Sequence, residues 1–115
     1  MELVPFEIAK KLEDKGFNKP TLMLYNNDGI LDVLPDMFAP SKNTFYRAPN
    51  LYEVMEWLRT EKSLHIRTSV YWIGWCFDIT DMNQINGHIY GSECEYRKFE
   101  QAALAGIEYV LNNLI

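Results

Sequence analysis

Cysteine is scarce: Cys76 and Cys94 are the only two in 115 residues, and they form no CxxC pair. That excludes a disulfide-scaffolded miniprotein and the common zinc spacings. One bridge between them is arithmetically open. Two reduced thiols in an intracellular protein is the simpler reading, so both are expected to be free. Positive charge is also short. Eleven Lys and Arg stand against 16 Asp and Glu, net −5, which does not favour a general phosphate-binding surface. No apolar run approaches the roughly 20 residues of a membrane helix. The start, Met1-Glu2-Leu3-Val4-Pro5, lacks the basic region of a secretory signal, and Pro5, Glu7 and Lys10 interrupt any apolar stretch. A cytoplasmic location with no membrane partner is the expectation. Catalytic signatures are missing too: there is no GxSxG, GxGxxG or GxxxxGK(S/T).

Apolar side chains are plentiful. Leu, Ile, Val and Phe make up more than a quarter of the residues, enough for a folded core. The length fits one domain, residues 1–115. A first helix is expected over residues 5–15, with Ile8, Ala9 and Leu12 as its apolar stripe and Gly16 as its stop. Phe17 can then fold back on the last turn. A strand over residues 21–25 leads into Asn26-Asn27-Asp28-Gly29, a hairpin signal, and a return strand over 30–34 in which Asp32 suggests an edge. Residues 35–47 read as a loop packed down by Met37, Phe38, Phe45 and Tyr46.

The second helix follows Ala48-Pro49. Asn50 is placed as its N-cap, Glu53 at the capping-box position, and Leu51, Val54, Met55 and Leu58 form the stripe, with Trp57 off it. Residues 64–71 and 75–79 read as a hairpin turning near Gly74. Ile66, Val70, Phe77 and Ile79 are expected toward the helices, and Arg67, Tyr71, Cys76 and Asp78 away from them. Trp75 follows Phe77 by alternation unless the bend at Gly74 breaks the register. Residues 81–91 read as a further short strand or a packed loop. A last helix is expected from Glu93 or Glu95 to Asn113, with Ser92 and Glu95 at capping-box spacing and Ala102, Ala103, Ala105 and Gly106 thinning its middle. The fold class is therefore α+β in the order α-β-β-α-β-β-α: an antiparallel sheet of about four strands with helices mainly on one face. An offset of 46 also aligns Phe6 with Tyr52, Glu7 with Glu53, Ile8 with Val54 and Leu12 with Leu58, an internal echo in which each helix precedes a hairpin.

Three segments carry a resemblance: Lys15-Gly16-Phe17 leading through Pro20 into Leu22-Met23-Leu24-Tyr25; Ala48-Pro49 opening the helix from Leu51 to Arg59; and Ala102-Ala103-Leu104-Ala105-Gly106-Ile107. In these the chain resembles small uncharacterised phage- and prophage-type bacterial proteins of mobile elements. The resemblance implies no activity and transfers no catalytic or binding residue.

Chemistry has little to stand on. His65, His88, Cys76 and Cys94 have no ligand-like spacing, so no metal is expected. No catalytic residue and no cofactor is assigned. Glu93 and Glu95 read as negative charge at a helix start rather than as a catalytic pair. Lys10, Lys11 and Lys15, and separately Arg59, Lys62, His65 and Arg67, could make local basic patches or ordinary solvated faces. Tyr71, Trp72 and Trp75 are the candidate partner contacts. A tight bend reading Tyr-Trp-Ile-Gly-Trp cannot easily bury every ring, and Trp and Tyr are enriched at binding hot spots. The competing reading packs these rings on the sheet. The expectation is a non-enzymatic accessory protein acting through protein contacts, as a homodimer or with another protein. The alternative is a small nucleic-acid-associated protein of a mobile element.

Overall fold

In the computed structural model, which describes residues 2–33 and 45–115, the chain folds as two compact units, Met1–Asn50 and Leu51–Ile115. Each is α+β. The first begins with helix α1, Phe6–Asp14, whose opening hydrogen bond runs from the Ala9 N–H to the Pro5 carbonyl at 2.9 Å. Ile8, Ala9 and Leu12 are buried as the stripe requires. Gly16 has φ +91°, the Gly16 N–H donates to the Glu13 carbonyl, and the Phe17 N–H donates to the Leu12 carbonyl at 2.9 Å. This double closure caps the last turn, and it brings Phe17 into the core. A Cβ at Gly16 would meet nothing within 4 Å, so Gly16→Ala isolates the backbone cost. It is expected to destabilise by about 1–2 kcal/mol in a urea titration. A neutral result would mean the left-handed stop is not needed.

Three short strands follow: β1, Met23–Asn26, β2, Leu31–Val33, and β3, Phe45–Arg47, in antiparallel order β2-β1-β3. The Asn26 Oδ1 accepts the N–H groups of Asp28 and Ile30, and Gly29 takes φ +78°, which makes the expected turn. Asp32 lies on the outer strand, as its charge suggests. β3 was not expected. Phe45, Tyr46 and Arg47 pair with Asn26, Tyr25 and Leu24; aromatic residues favour a pleated surface, but three residues are too few for alternation to show. The rest of the expected loop, including Met37 and Phe38, and the end of the return strand at Leu34 lie outside the described residues. Phe6 lies edge-on to Tyr25 at 5.5 Å and Tyr46 at 5.7 Å, the Tyr25 hydroxyl donates to the Val4 carbonyl, and Arg47 pairs with Glu13 at 2.9 Å. Together these fasten α1 to its sheet.

The second unit opens with helix α2, Leu51–Glu61. Leu51, Val54 and Leu58 are buried, but so is Trp57, and Met55 is only half-buried. The buried stripe is rotated toward the Val54–Trp57 side, where i and i+3 positions stack. Lys62 sits over the Trp57 ring at 5.4 Å, its charge at the rim of an apolar body. Then come β4, Leu64–Tyr71, β5, Gly74–Asp81, and β6, His88–Gly91, in antiparallel order β4-β5-β6. Residues 81–91 thus supply a third strand, and a bulge between Ile79 and Thr80 absorbs Ile89.

Helix α3, Phe99–Asn113, packs on β4 and β5. Its small residues set the distance: a Cβ at Gly106 would lie 2.8 Å from Ile66 Cγ2 and 3.2 Å from the Phe77 ring. The helix starts later than expected because the chain before it is committed to β5. The Ser92 Oγ does not cap a helix; it accepts the Phe77 N–H at 2.9 Å, and Tyr96 bridges to Trp75.

Two three-stranded sheets stand in place of the expected four-stranded one: the two expected hairpins lie in separate sheets, and each gains an edge strand, β3 or β6. The element order becomes α-β-β-β-α-β-β-β-α. The internal echo extends in element type but not in topology: the first strand is central in one sheet and the second strand in the other. No helix among the described residues is long and apolar enough to cross a membrane.

Candidate functional site

β4 and β5 form an unbroken ladder from Leu64 opposite Asp81 to Tyr71 opposite Gly74. Only Trp72 and Ile73 are left to make the turn. Two-residue hairpin loops usually take positive φ at their central residues. Here the positive-φ non-glycines among the described residues are Ser63 and Asn86, so Trp72 and Ile73 avoid that region, and Gly74 takes φ +150° instead. A Cβ at Gly74 would lie 2.7 Å from the Cys94 carbonyl oxygen. The tip is therefore built on a glycine that no side chain can replace without moving backbone.

The three candidate contact residues separate. Trp72 is 97% exposed and Tyr71 57%, both at the tip. Trp75 is half-buried, with its ring edge-on to Phe99 of α3 at 5.9 Å. The register through Gly74 is intact, with Val70 opposite Trp75, so Trp75 does follow Phe77 and Ile79 toward the helix. Two residues join the exposed rings at the tip: Ile73, within the expected bend, at 60% and Val70, expected toward the helices, at 58% exposure. Val70 shares a face with buried Ile66, yet burial fades along β4 toward the turn. The signal that could have found them is the run itself, Val70-Tyr71-Trp72-Ile73, four consecutive apolar residues around a two-residue turn.

Below the tip the other face is polar. Arg67 donates to Asp78 across the strands at 3.0 Å, and His88 Nε2 lies 3.6 Å from the same carboxylate. Arg67 is largely exposed, so this pair adds little stability. Cys76, expected on this outward side, is buried. Its thiol donates to the Ser69 carbonyl, with the Cys94 side chain beside it. Neither cysteine is bridged. No group of three His, Cys, Asp or Glu able to hold a metal occurs among the described residues.

Three basic groups of the candidate patches have acidic neighbours. Lys10 pairs with Glu7 and lies over Phe6, Arg59 pairs with Glu56, and Arg67 pairs with Asp78.

Burial raises the Tyr25 hydroxyl. Burial, followed by the charge of Glu95, raises Tyr96. Burial, then the neighbouring Cys94, pushes the Cys76 thiol from 9.0 up to about 11. Each folded value stands above its unfolded one, so the stability these groups contribute is full below the unfolded values and is lost as pH rises through the folded ones. The denaturant midpoint is expected to fall between pH 9.0 and about 11, with Cys76→Ser removing the first part of the fall. A midpoint that rises over that window would contradict the assignment.

Comparisons with known families, with curated proteins and with solved structures return no match to this chain.

Proposed function

We propose that the protein is a non-enzymatic accessory protein that works by protein–protein contact through the β4–β5 hairpin tip. The observation that carries this is the exposed run Val70, Tyr71, Trp72 and Ile73. Single exposed apolar residues are ordinary, but contiguous runs are uncommon without a role. Covering one aromatic side chain withdraws roughly 150–250 Å² from water, a gross gain of about 4–6 kcal/mol. Association costs about 4–15 kcal/mol in lost rigid-body freedom. One ring therefore does not hold a partner, and Val70, Tyr71 and Ile73 must be covered with it. The partner is a second copy of the chain or another protein. A phage or mobile-element origin belongs to the same proposal and rests on the sequence resemblance.

The alternative, association with nucleic acid, has weaker support, because Lys10, Arg59 and Arg67 already have acidic partners. Sizing with light scattering over a range of concentrations, together with a gel shift at two salt concentrations, separates the readings. Concentration-dependent self-association and no shift are expected. Salt-sensitive binding to DNA or RNA would replace this proposal with the alternative.

A further inference from the structure

We propose that Cys76 and Cys94 are a dithiol pair that closes to an intramolecular disulfide when a peroxide oxidises the protein. The two are 18 positions apart in sequence, and the backbone brings them together. On one side, Trp75 and Tyr96 exchange hydrogen bonds of 2.7 and 3.1 Å. On the other, the Ser92 N–H donates to the Phe77 carbonyl at 2.9 Å, and the Phe77 N–H donates to Ser92 Oγ. Cys76 is the single residue between these fastenings on β5. Glu93, Cys94 and Glu95 lie between them on the segment that follows β6, so Cys94 is the middle one of the three residues that span the stretch opposite Cys76. The Cys94 carbonyl is held against Gly74, which fixes its position along β5. The Cys94 side chain is a neighbour of the Cys76 thiol and, after burial, helps to raise it.

Access divides the roles. Cys76 is buried and Cys94 is half-buried, so a small oxidant meets Cys94 first. The Cys94 thiolate attacks one oxygen of hydrogen peroxide; an S–O bond forms, the O–O bond breaks, and the leaving hydroxide takes a proton to become water. Cys94 is then a sulfenic acid. The Cys76 sulfur attacks the Cys94 sulfur; an S–S bond forms, the S–O bond breaks, and the second hydroxide leaves as water with the Cys76 proton. Two thiols and one peroxide give one disulfide and two waters. The bridge would bolt the segment before α3 to β5 three pairs below the hairpin turn, closing a loop that contains β6. This proposal does not depend on what the tip binds.

The test uses the full chain, reduced, freed of reductant and treated with hydrogen peroxide near stoichiometry. Thiols are then alkylated under denaturing conditions and counted by mass spectrometry. The count should fall from two to zero, the chain should lose two hydrogens in mass, and a cross-linked peptide pair containing Cys76 and Cys94 should appear. A thiol reductant should restore both labels. In Cys76→Ser, a dimedone probe should trap a sulfenic acid at Cys94. Two labels persisting after peroxide would overturn the proposal. So would sulfinic acid at Cys94 with Cys76 still labelled, or bridges formed only between chains.

Discussion

Truncating Phe77 to alanine is expected to cost about 3–5 kcal/mol, measured as the loss of unfolding free energy in a urea titration. The side chain is buried at the centre of the second unit. Its ring lies 5.8 Å from Tyr90 and 6.2 Å from Tyr96, and it faces the glycine that lets α3 approach. Nothing nearby can collapse into the void cheaply, because the backbone on either side is tied to β4 and to Ser92. A domain of ordinary stability holds about 5–15 kcal/mol in all, so the variant would be marginal. A cost below about 1 kcal/mol would be that of a surface site, and α3 could not then be seated on β5 as described.

Leu58→Ala is expected to cost about 2–5 kcal/mol, since Leu58 is fully buried on α2. A loss under about 0.5 kcal/mol would mean that the helix presents another face. Two further variants separate the observed stripe from the one that spacing suggests. Trp57→Ala should cost more than Met55→Ala, because Trp57 is buried and Met55 is half-buried. The reverse order would restore the stripe of Leu51, Val54, Met55 and Leu58.

Legibility in the sequence followed the strength of local signals. Gly16 after a periodic stripe, Asp28-Gly29 between apolar runs, and the alternation from Leu64 to Ile79 all correspond to elements found. These signals act over a few residues and do not depend on tertiary partners. The misses share a different cause. β3 is three residues long, and its pairing with β1 is decided by β1 and not by its own pattern. Ser92 and Glu95 have the spacing of a helix start, but the Phe77 N–H claims the Ser92 hydroxyl first. Trp57 is buried because α2 is rotated, which only the packing of its neighbours can set. At the candidate site, the exposure of Tyr71 and Trp72 followed from crowding at a tight bend. The inward direction of Trp75 followed from alternation with Phe77 and Ile79, whereas the ring it meets, Phe99, lies far along the chain.

The proposed function makes the hairpin tip a contact surface and not part of the core. The most direct measurement is the double variant Tyr71→Ala with Trp72→Ala, compared with the parent by light-scattering sizing and by a thermal melt. A melt close to that of the parent is expected, since exposed substitutions usually change stability by no more than about 0.5 kcal/mol each, together with loss of self-association or partner capture. A monomer before and after substitution, accompanied by a large drop in melting temperature, would contradict it and return these rings to the core.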